Sequence, residues 1–112
     1  MGYKIKSRIW IESENNVLLG EGRVQLLKAI QNKGSLSKAA KSLNISYKKA
    51  WQLLDSVNKS SKKPVTINSI GGKGGGGAEL TAYGKSLVKA FDEINRNCWV
   101  FLDEQLKKIE KI

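Results

Sequence analysis

Hydrophobic and polar positions change rhythm several times along this chain of 112 residues. "YKIKSRIWIE" alternates charged and bulky apolar residues, the period-two signature of a half-buried strand, and predicts one over residues 5–12. "SENNVLLGEG" reads as a turn pinned by a short apolar patch, Val17, Leu18 and Leu19. From residue 21 to 32 the apolar positions Val24, Leu27 and Ile30, joined by Leu26, return at helical spacing. Gly34 follows as a left-handed C-cap.

The next stretch, "GSLSKAAKSLNISYKKAWQLLDSVN", predicts two more helices. Ser35 is placed to cap a short one over residues 36–43, with Leu36, Ala39, Ala40 and Leu43 inward. Asn44 tolerates the left-handed backbone of a tight turn. Ile45 plugs that turn, and Ser46 caps the second helix, residues 47–59. Two helices joined by a three- or four-residue turn, with small alanines where they cross, form the helix-turn-helix pattern. In the second helix Ala50, Leu53, Leu54 and Val57 share a face. Lys48, Lys49, Gln52, Ser56 and Lys59 lie elsewhere, and Tyr47 suits either side.

Pro64 stops the helix. Residues 65–70 and 78–81 read as two strands of a hairpin whose tip is the glycine run 71–77, with Lys73 inside it. Thr81 then caps a last helix over residues 82–110. Its stripe of Tyr83, Leu87, Phe91, Ile94, Cys98, Phe101, Leu106 and Ile109 is widened by Val88, Trp99 and Leu102. At about 1.5 Å per residue such a helix is on the order of 40 Å long, more than a domain of this size covers. A homodimer is expected to bury its far half through Phe91, Ile94, Cys98, Trp99, Phe101, Leu102 and Leu106. The fold class expected is mainly α with a small β component: a winged helix-turn-helix with a long C-terminal dimerisation helix. Residues 1–80 would form the DNA-binding domain and residues 81–112 the dimerisation helix.

Charge sharpens this picture. The net charge is +10. Between Arg23 and Ala78 every charged residue is basic except Asp55, and the two ends balance, so the whole excess sits in the middle of the chain. A polyanion is the partner such a block suits. On the second helix of the pair, Ser46, Tyr47, Lys48, Lys49 and Gln52 are residue types that reach phosphates and base edges from a major-groove helix; a merely solvated lysine face has the same composition. Lys38 and Lys41 on the preceding helix, and Lys73 with Gly74 in the wing, would meet phosphates. Glycine lets backbone N–H groups approach a phosphate without a Cβ between.

Other chemistries fit less well. There is no histidine and one cysteine, Cys98, which removes the common zinc sets and the Ser-His and Cys-His pairs. A lone cysteine cannot form an internal disulfide and suits a reducing cytoplasm. Lys4, Lys6 and Arg8 precede only Ile9, Trp10 and Ile11, too short a run for a signal sequence, and no stretch approaches the roughly 18 apolar residues of a membrane span. In the glycine run, Lys73 is followed by Gly74 and not by the Ser or Thr of a Walker A loop. A G-x-G-x-x-G can be threaded through Gly72, Gly74 and Gly77, but a glycine run matches almost any glycine motif. No cofactor, metal or enzymatic activity is expected.

"ISYKKAW" and "GGKGGGGAELTAYG", in their order around the helix-turn-helix, resemble the N-terminal DNA-binding domain of the molybdate-responsive ModE regulators, from about Leu19 to the final helix. The helix-turn-helix alone also resembles that of the LysR regulators, which share a long dimerising linker helix. The resemblance implies a dimeric regulator on a pseudo-palindromic operator, with the helix after Ser46 in the major groove and the wing on backbone or minor groove. The family's C-terminal oxyanion-binding domains have no counterpart in these residues, so direct molybdate binding is not expected of them. Three other classes remain open: a non-specific architectural DNA-binding protein, a nucleotide-using enzyme built on the glycine loop, and an interaction module whose long helix takes a different chain.

Overall fold

The computed structural model describes residues 2–14, 16–69 and 76–112. Eight elements follow one another: β1 (Trp10–Ser13), β2 (Asn16–Gly20), α1 (Glu21–Lys33), α2 (Leu36–Ser42), α3 (Tyr47–Ser60), β3 (Thr66–Ser69), β4 (Gly77–Leu80) and α4 (Ala82–Glu110). The expected class is the observed one, helices with two small antiparallel pairs, β1–β2 and β3–β4.

Two expectations near the N-terminus need correction. The strand expected over residues 5–12 begins only at Trp10, and the apolar patch Val17, Leu18 and Leu19 is a second strand rather than part of a turn. The two form a hairpin, Trp10 opposite Gly20 and Ile11 opposite Leu19, with a bulge between Ile11 and Glu12. Its ladder ends where α1 starts at Glu21, so residues 2–9 have the alternation of a strand without a partner to pair with. They pass α4 instead, where the Ser7 hydroxyl lies 3.9 Å from Cys98 Sγ.

The chain's punctuation follows local chemistry. Gly34 ends α1 at φ 81°, its N–H bonded to the Ile30 carbonyl at 2.8 Å. Asn44 turns the chain at φ 59°. The hydroxyls of Ser35, Ser46 and Thr81 accept the N–H groups of Lys38, Lys49 and Gly84 at 3.1, 3.0 and 2.9 Å, each satisfying a donor the first turn leaves free.

Helix α1 lies at the centre, buried on two sides. On one side Val24 and Leu27 pack with Leu19, Val57, Val65, Leu80, Val88 and Phe91. On the other Leu26, Ala29 and Ile30 meet Ala39, Ala40, Ala50 and Ala78, whose small side chains let the helices approach closely. The β3–β4 hairpin is held to this body through its backbone: Ala78 N–H donates to the Gly34 carbonyl at 2.8 Å and Leu80 N–H to Gln31 Oε1 at 3.1 Å.

Helix α4 changes character along its length. Gly84, Val88 and Phe91 are buried in the core, and the carboxylate of Asp92 meets Lys28 Nζ of α1 at 2.9 Å. The N-terminal segment still meets the helix at Cys98, and beyond that the helix leaves the body. The molecule measures 62 × 30 × 22 Å and its radius of gyration is 17.0 Å, against about 13 Å for a compact chain of this length.

Candidate nucleic-acid interface

Helix α3 owes its position to its own two faces. Ala50 and Val57 are fully buried and Leu53 and Leu54 partly so. From Asn58, Oδ1 accepts the Val65 N–H at 2.8 Å, which fixes where β3 departs. The opposite face, centred on Lys48 and Gln52, is left to solvent.

Around that face the structure brings most of the expected residues together. Lys38 and Lys41 of α2, Tyr47 and Trp51 of α3, and Asn68, Gly76 and Gly77 at the tip-ward end of the hairpin ladder line one groove of about 670 Å³. Across Trp51 a second, shallower groove is lined by Gln52, Asp55, Ser56 and Lys59 together with Asn16. Lys48 and Lys49 are exposed at the first turn of α3. Ser46 is exposed beside them, its oxygen engaged by the Lys49 N–H. Lys73 and Gly74 lie outside the described residues.

The electrostatics are one-sided. Lys59 is paired with Asp55 at 2.9 Å. Among the described residues Lys38, Lys41, Lys48 and Lys49 have no acidic partner within bridging distance. Four free ammonium groups on two adjoining helices hold a positive potential over the grooves.

Sequence reasoning missed three participants. Trp51, 51% exposed, was signalled by its place four residues after Tyr47 and off the Ala50–Val57 face. Asn68 enters through the hairpin register, opposite Ala78, which no local pattern reveals. Arg23 reaches from α1 to the Ser56 hydroxyl at 3.3 Å, at the wall of the second groove; nothing in its sequence neighbourhood signals this.

The expected dimerisation residues divide. Phe91 is only 3% exposed and belongs to the core of the single chain, because α4 is still packed on α1 at that point; it offers no surface to a second copy. Ile94, Trp99 and Phe101 are exposed, the last at 61%, while Cys98, Leu102 and Leu106 are partly covered.

A helix-turn-helix followed by a β-hairpin, with a long helix carried behind them, defines a winged helix-turn-helix domain. Two solved structures share the fold: the CbnR_DBD–DNA complex (TM-score 0.60, 18% identity, 79% of this chain and 95% of that one) and ArgP from Mycobacterium tuberculosis (TM-score 0.53, 16% identity, 80% of this chain and 30% of that one). No protein-family model matches the chain. In sequence it is similar to the transcriptional regulator ModE of Haemophilus influenzae, 41% identical over 86 residues, which is 77% of this chain and 34% of that protein. It is also similar to the DNA-binding transcriptional dual regulator ModE of Escherichia coli K12, 46% identical over 70 residues (62% and 27%), and to the molybdenum transport protein ModE of Azotobacter vinelandii, 30% identical over 106 residues (95% and 39%). The chain is ModE-like, as its motifs indicated, and spans about a third of the length of these relatives.

Proposed function

We propose that this chain is a sequence-specific DNA-binding regulator of the ModE type, cytoplasmic and without enzymatic activity, which binds a pseudo-palindromic operator as a homodimer. The observation that carries the reading is that Lys38 and Lys41 line the groove between α2, α3 and the hairpin, Lys48 and Lys49 are exposed at the first turn of α3, and among the described residues none of the four has an acidic partner. Ser46, Tyr47, Lys48, Lys49 and Gln52 would face base edges and phosphates from the major groove, and Lys38 and Lys41 the flanking backbone. Residues 1–80 read DNA in this account and residues 81–112 pair two copies. The first three turns of α4 serve both, since Val88 and Phe91 complete the core on which α1 and α3 rest. The similarity to the transcriptional regulators of Haemophilus influenzae and Escherichia coli supports the same reading.

The test is binding to labelled duplexes as a function of salt, on a sequence selected from a randomised library and on a scrambled control. Contact with roughly six to eight phosphates should make affinity fall steeply with salt on both. At physiological salt the selected duplex should be preferred on the order of a thousandfold or more. A steep salt dependence with equal affinity for both duplexes would instead mark an architectural DNA-binding protein.

A further inference from the structure

All three tryptophans of this chain are about half exposed, Trp10 and Trp99 at 55% each, and of them only Trp51 stands on the helix-turn-helix, inside the cationic patch. Tryptophan side chains are mostly well buried, yet Trp51 is 51% exposed, and Tyr47, one turn earlier, is 56% exposed. Trp51 forms the ridge between the two grooves of the interface. Among the described residues neither the Trp51 indole nor the Tyr47 hydroxyl is engaged in a hydrogen bond, and the core closes on Ala50, Leu53, Leu54 and Val57 without them.

Large aromatic surface kept wet inside a cationic patch suits a ligand that is polyanionic and apolar at the same place. In the major groove the one apolar group that stands out from the base edges is the C5-methyl of thymine. Four residues of helix advance about 6 Å, close to two base steps of about 3.4 Å each. We propose that Tyr47 and Trp51 are specificity-determining residues that pack against thymine methyls, so that each half-site carries thymines about two steps apart. This rests on α3 being the groove-reading helix.

The test separates the two ideas. The duplex enriched from a randomised library is remade with deoxyuridine in place of thymidine, which removes only the methyls. Wild-type protein should lose about fourfold in affinity per methyl read, the worth of one buried carbon. Trp51→Ala should lose affinity on the thymine duplex but discriminate less between the two duplexes, the non-additivity expected of groups in contact. Trp51→Phe should keep most of the discrimination, and circular dichroism should report all three proteins folded. Equal wild-type affinity for both duplexes overturns the proposal. So does a Trp51→Ala loss of the same factor on both, which would assign the indole to sugar or phosphate. If no duplex is enriched at all, the DNA-reading assignment of α3 falls, and this inference with it.

Discussion

Gly84 shows how much a single position can carry. It stands in the first turn of α4, and a Cβ built there would run into the Val65 carbonyl, with Val65 C at 3.1 Å and Val65 Cα at 3.2 Å behind it. That same carbonyl accepts the Thr81 N–H at 3.0 Å, and the Thr81 hydroxyl donates to the Pro64 carbonyl at 2.8 Å. The start of β3 is therefore pressed against the start of α4, and backbone has little freedom to retreat. Gly84→Ala should destabilise the domain by about 2 kcal/mol, as overpacking does, read as a lower urea midpoint with an unchanged slope. Ser46→Ala, which removes a cap without a clash, should cost only about 1 kcal/mol. The caps at Ser35, Ser46 and Thr81 and the left-handed turns at Gly34 and Asn44 were legible in the sequence because their causes lie within four residues. The need for glycine at position 84 was not, since what it meets is nineteen positions earlier in the chain.

At the scale of elements, α3 was legible and β1 was not, for related reasons. Helix α3 makes its own hydrogen bonds, and its apolar positions repeat strongly enough to separate the buried face from the presented one. A strand needs a partner: the alternation in residues 4–9 has the right period but no neighbour, and the strand Asn16–Gly20 became that neighbour only for residues 10–13. Within the interface the elements should play different parts. Lys48 sits at the centre of the presented face and Lys41 on the rim toward the hairpin. Lys48→Ala should weaken binding to a selected duplex more than to a scrambled one. Lys41→Ala should weaken both by similar factors and lower the salt slope by about one. Titrations of both variants against both duplexes, at several salt concentrations, check this.

The whole molecule is a compact head with a rod behind it. The rod's stripe is continuous with the core: Phe91 is inside, and Ile94, Cys98, Leu102 and Ile109 follow on the same side of α4. Nothing in the spacing marks where coverage by the chain's own body stops, which is why Phe91 could be taken for an interface residue. Its place is set by the core, where it packs with Val24, Leu27 and Val88; the half-exposed Lys28–Asp92 ion pair lies beside it. The two positions should respond differently. Phe91→Ala should cost about 3–5 kcal/mol in folding. Phe101→Glu, at an exposed site, should leave the fold intact while sedimentation reports a shift from dimer to monomer. The clustering of positive charge was legible from the sequence, because the basic residues between Arg23 and Ala78 are nearly unopposed there. Which lysines remain free was legible only in part: Asp55 and Lys59 stand four apart on one helix, whereas Lys28 finds Asp92 only in the folded chain.

The central claim is that two copies present α3 and its hairpin together to one duplex. Selection from a library of duplexes with a randomised centre, followed by sequencing of the bound fraction, tests it most directly. The account expects an inverted repeat whose half-sites are centred about one helical turn, or a multiple of it, apart. A bound fraction indistinguishable in sequence from the starting library, or one enriched only for a single asymmetric site, would contradict it.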